Sequence, residues 1–424
     1  MKKKKAPLGR RMKEFVKTSV VWGPLDHNLF FTIIFLNVYG IIMVYSASYN
    51  NSITKNYSYF MNNQLKNVIF GFVIMIVASY VNYHRIVRLG WGWVLVAAVA
   101  IIAALKTPLA HSELGATRWI KLGPVSFQAA EPIKAAIIIF FAYYVSYWGL
   151  NRWYNQLLAC LLAIALLGFL FFFSNNLSTV IVLFCICAVI ILSSVKKPDL
   201  YWYFLLGLAL IIIAAIFVTV YLLMHQGAEN FRFVRIRAWL HPEEYAADEG
   251  LQAMQARYAI GAGGFWGKGL GQSLIKFKLS YSYNDFILAI ICEELGVFGV
   301  IVMMTLFGYL LYRIYKIAQN AWDIEGKVLA IGVFTQIALQ LLINVMVVTS
   351  VIPTTGVTLP FFSAGGTSVV FLLAELGMVL NVDKYAKERR FFEEAERHVA
   401  QMEQRGGIGA AGWRRRLDSA RTRR

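Results

Sequence analysis

The sequence predicts an all-α polytopic membrane protein, with about ten transmembrane helices and a large extracellular loop between the seventh and eighth. Three observations carry that prediction. Hydrophobic residues make up 58% of the 424, against roughly 45–50% in soluble globular domains, and mean hydropathy is +0.58. The apolar residues gather in runs of about the 17–25 residues that cross a bilayer as a helix. The charge, formally +18, sits at the two ends and in alternate short connections, as the positive-inside rule requires.

The expected spans lie near 28–48, 66–84, 91–106, 132–149, 156–173, 178–194, 201–224, 284–312, 327–350 and 361–381. The third is short, and only Ser174-Asn175-Asn176-Leu177 separates the fifth from the sixth. A basic arm, 1–25, precedes the first span. Its Trp22-Gly23-Pro24-Leu25-Asp26 stretch carries no small-residue cleavage pattern, so the first span reads as an uncleaved anchor. The membrane domain then runs over 26–383, with the outer loop at 225–283. The tail 384–424 starts as a continuation of the last helix and ends rich in Gly, Ala and Arg, a composition of partly disordered chain.

Arg85, Arg88, Arg152, Lys196, Lys197, Arg313, Lys316 and Lys327 fall in connections on the same side as both termini. That side is the cytoplasm, and the loops at 49–65, 107–131, 225–283 and 351–360 face out of the cytoplasmic (plasma) membrane. Nucleic-acid binding is the other reading of basic ends. No aromatic-interleaved or helix-turn-helix pattern accompanies them, so attraction to anionic membrane lipid is the simpler account. The four cysteines lie in spans and behave as small apolar groups. The six histidines are scattered, so no protein metal site is expected. No internal repeat is visible, which counts against a transporter built from duplicated halves.

Four polar stretches interrupt this pattern. The first is Gly115–Gly123, containing Arg118, Trp119 and Lys121, followed by Glu131-Pro132-Ile133-Lys134. Pro132 suits a first helical turn, and Glu131 and Lys134, three apart, share a helix face. They are either a structural ion pair or a cradle in which Lys134 and Arg118 meet an anionic headgroup. The second lies in the long loop. Phe231–Trp239 alternates basic and apolar residues and suits an interfacial segment. Gln252 and Gln255 follow, then the glycine-dense Gly261–Gly271 with Lys268. Such glycines allow tight turns or close backbone approach, and the run lacks the Lys-Ser/Thr ending of a phosphate loop.

The third stretch is Asp285 with Glu293 and Glu294. Charge in a span is costly and kept for a reason. On a continuous helix Asp285 and Glu293 share nearly one face, roughly 12 Å apart, while Glu294 points elsewhere. Glu293 reads as structural, and Asp285, delivered to the surface by the loop, as the catalytic candidate. The fourth stretch is Ile352–Ser368, with two prolines, three glycines and several hydroxyls, Ser363 and Thr367 among them. Irregular backbone at membrane depth survives where it lines a polar cavity. A cap over a cavity is therefore preferred to an ordinary turn.

Taken in order, Gly115–Lys134, Gln252–Gly271, Asn284–Gly299 and Ile352–Ser368 resemble the SEDS family (shape, elongation, division, sporulation) over about residues 27–383. Ile352–Ser363 resembles the division branch more than the elongation branch. The resemblance implies a peptidoglycan glycosyltransferase that polymerises lipid II outside the membrane, for septal wall in the division branch. The family's loop aspartate corresponds to Asp285, its paired acid and lysine to Glu131 and Lys134, and its Arg-Trp to Arg118-Trp119. The substrate-binding set so implied is Glu131, Lys134, Arg118, Trp119, Lys121, Gln252, Gln255, Lys268, Ser363 and Thr367. Implied partners are a class B penicillin-binding protein transpeptidase and other division or elongation membrane proteins. No cofactor is certain, and a divalent cation, Mg or Mn, is a further source of positive charge.

The chain departs from the family pattern at Asn175–Ser178, Ser280–Asn284, Ala130 and Ala364, which puts accessory contacts in doubt but leaves Asp285. An inverting transfer needs a general base at the acceptor hydroxyl and positive charge at the leaving pyrophosphate. A lipid II flippase and a noncatalytic scaffold are the competing readings.

Overall fold

The computed structural model describes residues 24–48, 59–104, 110–113, 116–122, 125–174, 177–195, 231–245, 249–277, 283–364, 366–404 and 411–414. Its helices are α1 (His27–Ser48), α2 (Tyr59–Tyr80), α3 (Tyr83–Ala104), α4 (Ala130–Trp148), α5 (Trp153–Ser174), α6 (Leu177–Ser194), α7 (Phe231–Leu240), α8 (Glu249–Gly263), α9 (Ile287–Gln319), α10 (Ile324–Val348) and α11 (Gly366–Gln404). Among the described residues six helices are long and apolar enough to cross a membrane: His27–Ser48, Phe60–Tyr80, Trp153–Phe172, Ile287–Gln319, Ile324–Val348 and Gly366–Gln404. The chain is a multi-pass membrane protein. Each expected span has a helix at its place except 201–224, which lies outside the described residues. So do the basic arm 1–23 and most of the tail beyond Gln404.

Two boundaries moved for a physical reason. The third span is not short: α3 begins at Tyr83, because its polar first turns are satisfied by partners. Arg88 Nε donates to Glu325 Oε1 at 3.0 Å, and His84 Nε2 meets Asp323 Oδ2 at 2.5 Å. The last helix starts at Gly366 rather than at Phe361, because Phe361 and Phe362 belong to the preceding loop. Phe361 takes φ 66 and turns both rings into the core. Phe362 packs edge-on to Tyr39 at 5.0 Å, and both rings lie near Phe307. α1 passes so close that a Cβ on Gly40 would stand 2.2 Å from the Phe361 carbonyl oxygen.

The connection 107–131 holds a feature not expected from the sequence, a three-stranded antiparallel sheet. Its strands are β1 (Ala110–Glu113), β2 (Ala116–Leu122) and β3 (Val125–Gln128), in that order. The register sets Trp119 opposite Gln128 and Lys121 opposite Ser126.

α9 is not one helix. Gly296 breaks it with φ 63 and ψ −164, and the glycine-dense loop fills the break. The amides of Lys268 and Gly269 donate to the carbonyls of Glu293 and Glu294 at 2.9 Å each. The amides of Val297 and Phe298 donate to the carbonyls of Gly264 and Phe265 at 3.1 Å each. Four backbone groups at the break thus find partners in the loop, as interrupting a helix within a membrane protein requires. The approach needs missing Cβ atoms: one on Gly263 would stand 1.8 Å from the Cys292 carbonyl oxygen, and one on Gly267 2.2 Å from that of Glu294.

Candidate active site

The site is built where α4, α6, α10 and the loop 349–365 converge. The N-terminus of α4 places Glu131 and Lys134 one turn apart. Lys134 Nζ lies 2.8 Å from Glu131 Oε2 and 2.9 Å from Oε1, with both residues buried at 4% and 3% exposure. A buried ion pair is rarely a net stabiliser, because desolvating two charges offsets their attraction. It here lines a small cavity with Gln128, Ala130, Ser178, Thr179, Val182, Gln340, Gly356, Val357 and Thr358. The ion-pair reading is seen directly, and the pair stands at the wall of a cavity.

Asp285 is half-buried in a turn, Tyr283–Phe286, before α9 begins. The expected one-face relation to Glu293 does not apply, because that spacing assumes both residues are helical. The turn is tied to the cavity wall. Asn344 Nδ2 donates to the backbone oxygen of Asp285 at 2.8 Å and to that of Val357 at 2.9 Å, so these two oxygens stand no more than about 6 Å apart. Ser363 Oγ donates to the Asn284 carbonyl at 2.9 Å and accepts from the Leu359 amide at 2.7 Å. The Ala364 amide donates to the Tyr283 carbonyl at 2.8 Å, and the Phe60 and Tyr283 rings lie 4.5 Å apart. The loop 351–364 thus lines the cavity, as a cap would, and holds the Asp285 turn.

Glu293 and Glu294 are both fully buried, and both serve the glycine-dense loop. Glu293 accepts from Lys268 Nζ at 2.8 Å, from Ser273 Oγ at 2.5 Å and from the Leu274 amide at 3.2 Å. Glu294 accepts from Ser46 Oγ at 2.5 Å and from the Ser273 amide at 3.3 Å, with Lys276 Nζ at 3.5 Å. Glu294 was expected to point away. The break at Gly296 instead lets one loop engage both carboxylates.

The remaining predicted residues are placed as follows. Lys268 is engaged by Glu293, and Ser363 spends its hydroxyl on the loop. Thr367 Oγ1 and Gln255 Oε1 are buried with no hydrogen-bond partner among the described residues. Gln252 and Gln255 lie on α8, which packs on α9. Arg118, Trp119 and Lys121 lie on β2, and the register brings Trp119 beside Gln128, a cavity residue. Among the described residues no three His, Cys, Asp or Glu side chains gather as a metal would need.

The sequence reading missed a polar stripe on α10. Gln336, Gln340 and Asn344 recur every four residues, so they share one face, and Glu375 on α11 accepts from Gln336 Nε2 at 2.7 Å. The four-residue spacing, and a lone carboxylate in the tenth span, were the available signals.

The profile of cell cycle proteins FtsW, RodA and SpoVE matches residues 26–388. A probable peptidoglycan glycosyltransferase FtsW of Trichlorobacter lovleyi is 31% identical over 88% of this chain and 96% of its own. One of Bacillus subtilis is 31% identical over 85% and 91%. Stage V sporulation protein E of Bacillus subtilis is 33% identical over 84% and 96%. Among solved structures, a chain from a peptidoglycan synthase complex described as coordinating polymerization and crosslinking superposes with TM-score 0.72 at 22% identity, covering 86% of this chain and 99% of that one. RodA of Thermus thermophilus superposes with TM-score 0.62 at 22% identity, covering 86% and 98%.

Proposed function

Because the chain belongs to the FtsW/RodA/SpoVE family of cell cycle proteins, we infer that it is a peptidoglycan glycosyltransferase. It polymerises lipid II into β-1,4 glycan strands at the outer face of the cytoplasmic membrane, for the septal wall of a dividing cell. The names of the FtsW relatives support the reaction and the septal assignment; the sporulation relative marks the neighbouring branch. The observation that carries the reading is the Asn344 bridge. It joins the turn of Asp285 to the wall of the cavity that holds the buried Glu131–Lys134 pair.

The donor is a sugar α-linked through pyrophosphate to a polyprenyl chain, and the acceptor is the 4-hydroxyl of another lipid-linked sugar. A β-linked product requires inversion, hence one in-line displacement with a base at the hydroxyl. Asp285 takes that proton as the new glycosidic bond forms and the pyrophosphate leaves with the bonding electrons. Lys134, oriented by Glu131, meets the charge that develops on the pyrophosphate. Arg118 and Trp119 on the sheet border the donor. A divalent cation travelling with the pyrophosphate is a second source of positive charge, tested by EDTA. Asp285, the cavity and the sheet then face outward and both termini face the cytoplasm. A class B transpeptidase is the partner, a reading supported by the fold shared with the synthase-complex chain.

The test is purified protein with lipid II, with and without the transpeptidase, alongside Asp285→Ala, read as glycan polymer on a gel. Polymer from wild type and none from the variant supports the assignment. No polymer from either, with partner and divalent cation present, turns the reading toward a flippase or scaffold.

A further inference from the structure

Below the cavity, Glu375 and Gln336 face each other, each 1% exposed. One hydrogen bond joins them, Gln336 Nε2 to Glu375 Oε2 at 2.7 Å. The other two acceptor oxygens of the same head groups, Glu375 Oε1 and Gln336 Oε1, have no hydrogen-bond partner among the described residues. Two buried acceptors without a hydrogen bond are costly, and one left as a charged carboxylate is costlier still. A single proton removes both problems. A carboxylic acid and a primary amide pair through two antiparallel bonds, amide N–H to acid carbonyl and acid O–H to amide carbonyl. The first is in place, and a proton on Glu375 Oε1, donated to Gln336 Oε1, makes the second.

We propose that Glu375 is a membrane-embedded proton-binding site, held as a neutral acid–amide pair with Gln336, and that it acts as a positioning residue for Lys134. α11, which carries Glu375, packs against α4, and α4 carries Lys134 and Glu131, the charged groups whose fields reach Glu375. With Glu375 neutral, Lys134 answers to one carboxylate, Glu131, and the buried cluster carries no net charge. Ionised, Glu375 becomes a second carboxylate competing for the same ammonium and leaves an uncompensated buried charge. The proton therefore keeps Lys134 at the cavity. The proton site itself stands independently of the glycosyltransferase reading; only the consequence for Lys134 rests on it.

Infrared difference spectroscopy of the purified full-length protein, wild type against Glu375→Gln, tests the proton directly. A carboxylic-acid C=O band present in wild type and absent from the variant is expected. Gln336→Leu should move that band to higher frequency, because the acid carbonyl loses its N–H donor. Absence of the band from wild type overturns the proposal. In the lipid II assay Glu375→Ala should lose about tenfold in kcat, and Glu375→Gln, which still forms two amide–amide bonds, should restore it to within roughly threefold. A Gln variant as poor as the Ala variant shows that a carboxylate is needed and overturns the neutral acid. An Ala variant as active as wild type overturns the positioning role. Absence of polymer from wild type sinks the catalytic reading alone and leaves the infrared result to decide the proton site.

Discussion

The two ends of the helix bundle solve the same electrostatic problem differently. At the end opposite Asp285, polar groups from six helices close on one another. Asp323 accepts from His84 at 2.5 Å, from Tyr83 Oη at 2.9 Å and from the Gly326 amide at 2.8 Å. Glu325 accepts from Arg88 at 3.0 Å and Ser146 at 3.1 Å, Arg313 pairs with Asp26, and Lys387 lies 2.6 Å from Asp383. Asn381 takes the Tyr83 amide at 3.0 Å and gives to the Ser79 carbonyl at 2.8 Å. The buried atoms there that make no hydrogen bond among the described residues, Glu325 Oε2, Arg313 Nε and Asp383 Oδ2, sit on head groups already engaged through ion pairs. At the Asp285 end, oxygens of Asn284, Asn344, Thr355, Thr367 and Gln255 have no hydrogen-bond partner among the described residues. Buried polar groups are normally satisfied, and exceptions ask for a ligand or water. One end is closed on itself and the other keeps spare hydrogen-bonding capacity.

Changes at the two ends should therefore fail in different currencies. The largest effect is on activity at the open end: Asp285→Ala should lose about 10²–10⁴-fold in polymerisation, the range of a general base, with little change in melting temperature in detergent. Lys134→Met should cost both. It leaves Glu131 buried and unpaired, destabilising by about 3–5 kcal/mol, and removes positive charge from the cavity. Adding Glu131→Gln should recover the stability without the activity, as thermal unfolding and gel assay together would reveal. A double variant that regained activity would erase the distinction between the ends.

Gly263→Ala drives a Cβ into the Cys292 carbonyl and should destabilise by about 3 kcal/mol, read as protein yield and melting temperature. The smallest effect belongs to the closed end. Asp323→Asn should cost about 1–2 kcal/mol of stability and leave kcat unchanged. Burial pushes the Asp323 carboxyl up, but the bonds from His84, Gly326 and Tyr83 outweigh it and hold the carboxyl below its ordinary 3.8. Its stabilisation is thus fully present above that value and is lost as pH falls through the lower, folded-state value. The melting temperatures of wild type and Asp323→Asn should differ at neutral pH and converge only as pH falls below 3.8 and through the folded-state value.

How far the sequence spoke depended on the length scale of the signal. Spans were legible because hydropathy is read over some twenty residues and the bilayer sets that number. The Glu131–Lys134 pair was legible because helix geometry makes three-residue neighbours meet. Asp285 was legible as the residue where the loop enters the helix, but its relation to Glu293 was not, since a two-residue error in where α9 starts changes the face. The sheet was missed because strands of four to seven residues in a polar connection carry too little alternation to stand out. The break at Gly296 was missed because one glycine in an apolar run is ordinary for a membrane helix. Only its partner loop, thirty residues earlier in the chain, gives it meaning.

That partnership bears on how the protein is made. A continuous helix satisfies its own backbone as it enters the bilayer. α9 cannot, because four of its backbone groups at the break are answered by residues of the glycine-dense loop. That loop is synthesised first, so it is at hand to dock when Ile287–Leu295 follows. The stretch that carries Asp285 is thus finished by docking rather than by insertion, and loop and helix mature as one unit.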